Sequence, residues 1–210
     1  MIKILIADDH SIVRAGLKKI LKEERDIEVS GEASNHQGVL SLLSKDIHDL
    51  VLLDISMPGR SGLETLKEIK SLYPKLKVLI LSMHPEDRYA VRTIKAGAAG
   101  YVSKESATEE LVNAIRKVCR GEKYISAALS GKLADYLETD LESAPHELLS
   151  DREFQVLCMI TTGKTTDLIA EELSLSNNTI ATYRERILSK LRLKTNVELT
   201  NYAHRNNLID

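Results

Sequence analysis

Tryptophan is absent and phenylalanine occurs once, so seven tyrosines carry nearly all the aromatic content of the 210 residues. Aromatic bulk cannot fill a core here; Leu, Ile, Val and Ala must. Cysteine occurs only as Cys119 and Cys158, with no C-x-x-C and no histidine at metal spacing. That leaves no basis for a disulfide framework or a zinc module, and two reduced thiols are expected. An excess of one charge is also missing: 29 basic against 31 acidic residues give a net charge of −2. Near-neutrality argues against a general nucleic-acid coat, and 43% hydrophobic residues argue against an acidic disordered chain. No apolar run approaches the roughly 18 residues of a membrane span. Residues 1–7 lack the charged start and long apolar region of a signal peptide. A soluble cytoplasmic protein with no membrane partner is expected, holding one large or two modest domains.

The first 120 residues alternate between two periods. Short apolar runs over Ile2–Ala7, Ile27–Ala33, Leu50–Leu53, Val78–Leu81 and Gly100–Val102 read as strands. Between and after them, Ser11–Glu23, His36–Ser44, Ser61–Leu72, Glu86–Lys95 and Thr108–Cys119 have helical spacing, with Gly121 a plausible helix stop. Five strand–helix repeats predict an α/β fold with a doubly wound, five-stranded parallel sheet. Residues 126–148 then sum to −4 and include Pro145; a short helix over Ala127–Leu137 and a flexible stretch are expected there. Beyond it no strand pattern remains. Helices over Asp151–Thr161, Thr166–Leu173, Asn178–Leu191 and Asn196–Arg205 predict a small all-α domain. The division is residues 1–121, a linker over 122–147, and 148–210.

In a doubly wound sheet, ligands bind beyond the carboxyl ends of the strands. Asp8 and Asp9 close the first strand and Asp54 the third, so three carboxylates should converge. Packed carboxylates repel and raise one another's pKa. A hard divalent cation such as Mg2+ resolves that conflict. Ser82 ends the fourth strand and Lys104 follows the fifth. A hydroxyl and an ammonium, with the metal, can hold the oxygens of a phosphoryl group on Asp54 acting as nucleophile.

These residues, with Met57-Pro58, Gly62 and Gly97-Ala98-Ala99-Gly100-Tyr101, resemble the receiver domain of bacterial response regulators, a flavodoxin-like fold. The resemblance implies that Asp54 is phosphorylated by a sensor histidine kinase. It implies that Asp9, Asp54 and the Ser56 backbone carbonyl ligate Mg2+, with Asp8 acting through water. It makes Ser82 and Tyr101 a switch pair, the ring following the hydroxyl inward. Ser56 and His84 occupy positions that tune phosphoryl lifetime in that family. Lys104 is followed by Glu105 where relatives have Pro. His10 and His84 are read as polar loop residues beside the pocket.

In the C-terminal region, Ile169, Ala170 and Leu173 share one helix face, and Ile180, Ile187, Leu188 and Leu191 share another. Ser176 can cap the second helix. A short helix, a tight turn and a longer helix describe a helix-turn-helix. Residues 177–194 carry a net charge of +4 while residues 151–172 carry −3. A basic helix suits a phosphate-lined major groove of double-stranded DNA. Leu149-Ser150-Asp151-Arg152-Glu153, Ile169-Ala170, Ser176-x-x-Thr179-Ile180 and Lys190-Leu191 resemble the LuxR-type helix-turn-helix. A receiver followed by this domain is the NarL/FixJ class of response regulator. The resemblance implies base-edge contacts from Ala181, Thr182 and Glu185, with Thr179 on the same face. Arg184, Arg186 and Lys190 are expected on phosphates. Tyr183 either meets the DNA backbone or packs within the domain. The last helix mediates dimerisation in the family; Val197, Leu199, Thr200 and Ala203 either form that surface or, Thr200 apart, pack on the domain's own core. The expected function is transcription regulation, with phosphorylation of Asp54 controlling homodimer association and DNA binding.

The residues speak against two other functions. A phosphatase with a nucleophilic Asp needs a paired Asp-x-Asp, but Asp8 is followed two positions later by His10. A small-molecule sensor would need a ligand pocket in place of the acid cluster. Neither an enzyme nor a ligand sensor is expected.

Overall fold

The computed structural model describes residues 1–83, 86–104, 107–125, 144–206 and 208–209, with backbone alone at 86–88 and 107–109. His84, Glu105 and the helix expected over Ala127–Leu137 lie outside the described residues. The chain divides into two compact units, Met1–Gly131 and Lys132–Asp210.

In the first unit, strands β1 (Ile2–Ala7), β2 (Ile27–Ala33), β3 (Leu50–Asp54), β4 (Lys77–Ser82) and β5 (Gly100–Ser103) alternate with helices. The helices are α1 (Ser11–Lys22), α2 (His36–Leu43), α3 (Gly62–Leu72), α4 (Glu86–Lys95) and α5 (Ala107–Cys119). Strand order is β2-β1-β3-β4-β5, and every pairing is parallel, the latter as the strand–helix repeats predict. Order reverses between β1 and β3, which makes their carboxyl ends the switch point. Every residue of β3 is buried, because helices cover both faces of the sheet. At the edge, β2 buries fully only Ile27 and Ala33. One face packs Ile4, Ile6, Leu50, Leu52, Leu79 and Leu81 against Leu17 and Leu21 of α1 and Leu111, Ile115 and Val118 of α5. Each such side chain contributes about 1.5–3 kcal/mol on burial.

The other sheet edge is closed by a residue first assigned to the linker. The Tyr124 amide donates to Ala99 O (3.0 Å), and the Tyr101 amide to Tyr124 O (3.3 Å). Gly100 permits this approach: a Cβ there would lie 2.5 Å from Tyr124 O.

Midway along its length, β2 carries an extra residue between the partners of Ile4 and Leu5, namely Ser30. Its hydroxyl donates to Ile4 O (3.2 Å) and lies 2.7 Å from His48 Nδ1. With the hydroxyl proton used, Ser30 accepts from Nδ1–H of His48. Burial holds its pKa below the ordinary histidine value of 6.5. Protonation therefore favours the unfolded chain, and stability falls as pH drops below about 6.5. Melting at pH 7.5 and 5.5 checks this: His48→Asn should show a smaller acid-induced drop than the parent. An equal drop would rule the imidazole out.

Among the described residues, the second unit holds a 3-10 turn, Pro145–Leu148, followed by α6 (Asp151–Thr161), α7 (Thr166–Leu173), α8 (Asn177–Leu191) and α9 (Asn196–Arg205). Phe154, Leu157, Ile169, Leu173, Ile180, Ile187 and Leu199 are each at most 3% exposed and form its apolar core. All of the turn but Leu148 lies within the expected linker, yet it is fastened to this unit: Tyr202 Oη is 3.0 Å from His146 Nδ1. Ser150 and Glu153 form a capping box at the start of α6, and Ser176 caps α8 by accepting from the Thr179 amide. Between α7 and α8, Ser174 adopts φ 53°, the left-handed turn that separates the two helices.

Candidate functional site

Strand register builds the acid pocket. Ala7 pairs with Leu53, so Asp8 and Asp54 are the next residues on adjacent strands. Asp54 pairs with Leu81, and Ser82 pairs with Ser103, which puts Lys104 one residue further on. Asp8 and Asp54 are each 1% exposed. Lys104 Nζ lies 2.7 Å from Asp8 Oδ2 and 3.0 Å from Asp54 Oδ2. The Lys104 amide donates to Ser82 O (2.8 Å), which locks β4 to β5 at the pocket floor. Ser82 and Tyr101 are both fully buried, so the tyrosine ring lies inside the fold.

The charges do not balance. Asp8, Asp9, His10 and Asp54 each bring one ligand atom within 4.8 Å of the others. Against three carboxylates stands one buried ammonium. Burial raises the Asp54 pKa, Lys104 opposes the rise, and Asp8 adds to it. Burial also works against the charged form of Lys104, but Asp54 and Asp8 together hold its pKa above the ordinary lysine value. A surplus of negative charge on hard oxygen donors is the environment a divalent cation fits. His10, exposed at the rim, sits 2.9 Å from Asp9 Oδ1 and donates its amide to Asp8 Oδ1 (2.8 Å).

The loop after Asp54 folds back onto it. The Gly62 amide donates to Ile55 O (2.9 Å). A Cβ on Gly62 would lie 2.0 Å from Asp54 O, so only glycine fits where α3 begins. Ser61 and Glu64 close a capping box there, and Met57 is fully buried beneath the loop. Ser56, half-buried, therefore sits two residues past Asp54 at the start of a fastened loop.

One residue here escaped the sequence reading. Arg14 Nη1 donates to Asp8 O (2.7 Å) and Asp9 O (3.2 Å). A single arginine among the cations of an amphipathic helix gives no signal of this.

On α8, Ala181, Thr182, Glu185 and Arg186 are exposed, while Thr179, Tyr183 and Arg184 are half-buried. This is the face expected to meet a nucleic acid. Two of its cations are already engaged. Arg184 Nε donates to Asn196 Oδ1 (2.6 Å), tying α8 to α9. Lys190 Nζ donates to the buried Glu153 Oε2 (2.6 Å) and to Leu148 O (3.2 Å). Lys190, expected on a phosphate, thus has its ammonium on a buried carboxylate of its own unit. On α9, Leu199 and Ala203 are fully buried in their own unit, whereas Val197 is 71% exposed.

A buried acid cluster at the switch point of a five-stranded parallel sheet, followed by a helix-turn-helix, defines a two-part signalling regulator. Residues 4–116 match the response regulator receiver domain, and residues 147–203 match the bacterial regulatory proteins of the luxR family. The chain belongs to the response regulators that join a receiver to a LuxR-type DNA-binding domain, a family of transcription regulators and not of catalysts. It is similar to the response regulator UvrY of Escherichia coli (strain K12), 40% identical over 209 residues, covering 99% of this chain and 96% of that one. It is 37% identical to the response regulator GacA of Pseudomonas aeruginosa over 211 residues, covering 100% and 99%. Among solved structures it resembles RcsB of Salmonella enterica serovar Typhimurium bound to promoter rprA with the phosphomimetic BeF3−. That likeness has TM-score 0.66 and 26% identity, over 97% of this chain and 99% of that one. Among the described residues, no helix is long and apolar enough to cross a membrane.

Proposed function

We propose that Asp54 accepts a phosphoryl group from a sensor histidine kinase and that this controls how the chain self-associates and binds specific DNA sites. The observation that carries the reading is the convergence of Asp8, Asp54 and Lys104 by strand register at the switch point. An Asp54 carboxylate oxygen attacks the phosphorus of the kinase's phosphohistidine. The new O–P bond forms as the P–N bond breaks, leaving an acyl phosphate on Asp54 and the electron pair on the imidazole nitrogen. Lys104, already within 3.0 Å of Asp54, holds the incoming phosphoryl oxygens. Asp9, Asp54 and the Ser56 carbonyl would hold Mg2+, with Asp8 acting through water. Bound there, the ion would neutralise charge on the phosphoryl oxygens. Ser82 and Tyr101 form the switch pair: the hydroxyl meets the phosphoryl group, and that contact favours the inward placement of the ring.

In the second unit, Ala181, Thr182 and Glu185 contact base edges. Thr179, Tyr183, Arg184 and Arg186 contact the DNA backbone. Val197 and Thr200 offer the surface for a second copy, since Leu199 and Ala203 are spent on the unit's own core. The working division is a receiver over 1–121, a linker over 122–147 and a DNA-binding domain over 148–210. The hydrogen bonds support moving Tyr124 to the first and residues 145–147 to the last. We place the protein in the cytoplasm, where both partners meet it.

Genome-wide footprinting with and without a small-molecule phosphodonor and Mg2+ tests the reading. Discrete sites whose occupancy rises or falls with the phosphodonor are expected. Occupancy indifferent to it would overturn phosphorylation control, and the absence of discrete sites would overturn sequence-specific binding.

A further inference from the structure

The two carbonyls held by Arg14 are not arbitrary ones. The Asp8 and Asp9 carbonyls belong to the peptide planes on either side of the Asp9 Cα, and one Nη1 donates to both, at 2.7 and 3.2 Å. A peptide plane is rigid, so each residue has only φ and ψ as soft dihedrals. Holding both planes fixes φ and ψ of Asp9, and with them the point and direction from which its carboxylate departs. The guanidinium is itself held: Nε lies 3.4 Å from Glu32 Oε2 on β2, and the Arg14 side chain is mostly buried. The same strand end anchors the other side of the loop, where the Asp8 amide donates to Ala33 O (3.1 Å). The N-cap of α1 supplies no equivalent restraint, because the His10 side chain makes no capping bond.

We infer that Arg14 is a positioning residue for the divalent-cation site, orienting the Asp9 carboxylate through the backbone without touching the ion. The inference rests on reading the acid pocket as a Mg2+ site. Arginine suits the task where lysine does not. A planar guanidinium can be held along one edge by Glu32 while another edge fixes the carbonyls; an ammonium has no plane to hold. Charge at the pocket rim is the same in either case, which separates orientation from electrostatics.

Calorimetric titration of Mg2+ into the full chain tests this, using the parent, Arg14→Lys, Arg14→Gln and Asp9→Asn. Residues that orient metal ligands from behind typically change affinity by 10–100-fold, so both Arg14 variants should bind Mg2+ roughly tenfold more weakly. Without Mg2+, Arg14→Lys should melt with the parent. Phosphoryl uptake should need more Mg2+ for half-saturation yet reach the parental rate at saturation. Parent-like Mg2+ affinity in the Arg14 variants, with Asp9→Asn weakened, overturns the role of Arg14 alone. Parent-like affinity in Asp9→Asn as well overturns the metal site and Arg14's role with it. If Arg14→Gln unfolds without Mg2+, Glu32→Gln takes its place: a severalfold loss is expected, and parental binding there overturns the inference.

Discussion

Asp54→Asn takes up no phosphoryl group from any donor, and it is more stable than the parent when Mg2+ is absent. The first effect is chemical, since a neutral amide does not attack phosphorus. The second follows from the pocket's charge. Asp54 is 1% exposed, and burial with Asp8 nearby raises its pKa although Lys104 opposes the rise. Its ionised form is therefore held at a cost in the folded chain, and an isosteric amide removes that cost. Lys104 keeps a partner in Asp8, 2.7 Å away, so the ammonium is not stranded. Mg2+ should reverse the order. An ion that binds only the folded state stabilises by about 2.7 kcal/mol at a hundredfold excess over its Kd. The parent gains this and the variant, with one hard ligand lost, gains less. Intact-mass analysis after exposure to a phosphodonor reads the first effect, and melting with and without Mg2+ reads the second. Phosphoryl incorporation in Asp54→Asn would move the acceptor elsewhere. Unchanged Mg2+-free stability would mean that the carboxylate is not strained as argued.

The pocket was legible in the sequence because it is a consequence of strand ends. Buried parallel strands read as apolar runs, and the first polar residue after each run marks the sheet's carboxyl edge. Asp8, Asp54 and Ser82 could be placed that way without any contact information. Caps were legible for a similar reason: Ser176 acts on an amide three residues away. What stayed hidden depends on distant backbone. Gly62 is required because Asp54 O occupies the space a Cβ would need, a fact of tertiary approach. Ser30 faces His48 because the β1–β2 pairing slips by one residue, and nothing in the residues 27–33 announces the slip. Arg14 and Lys190 were hidden differently. Each sits on an amphipathic helix among other cations, where the pattern gives a solvated face. Only the fold brings a loop carbonyl to one and a buried carboxylate to the other.

That distinction makes Lys190 and Arg186 separable, although both are exposed cations on the same helix. Lys190→Ala should destabilise the second unit and leave the salt dependence of DNA binding nearly unchanged. Its ammonium pairs with Glu153, which is 3% exposed and otherwise accepts from the Ser150 amide at 2.7 Å. Removing one partner of a buried pair typically costs 3–5 kcal/mol. The lysine is partly solvated and Ser150 remains, so about 1–3 kcal/mol is expected here. Burial alone would raise the Glu153 pKa, but Lys190 and Ser150 overcome it and hold the carboxyl below its ordinary value. A depressed carboxylate pKa gives stability that is present above about pH 4.5 and lost as pH falls through the folded-state value. Lys190→Ala should flatten that acid limb. Arg186→Ala should do the reverse, leaving melting untouched while lowering the slope of log K against log salt by about 0.9 per monomer. A Lys190→Ala variant that melts with the parent but loses salt slope would return this lysine to the phosphates. It would also mean that Glu153 is held by Ser150 alone, with the basic face of α8 one cation wider than the folded unit suggests.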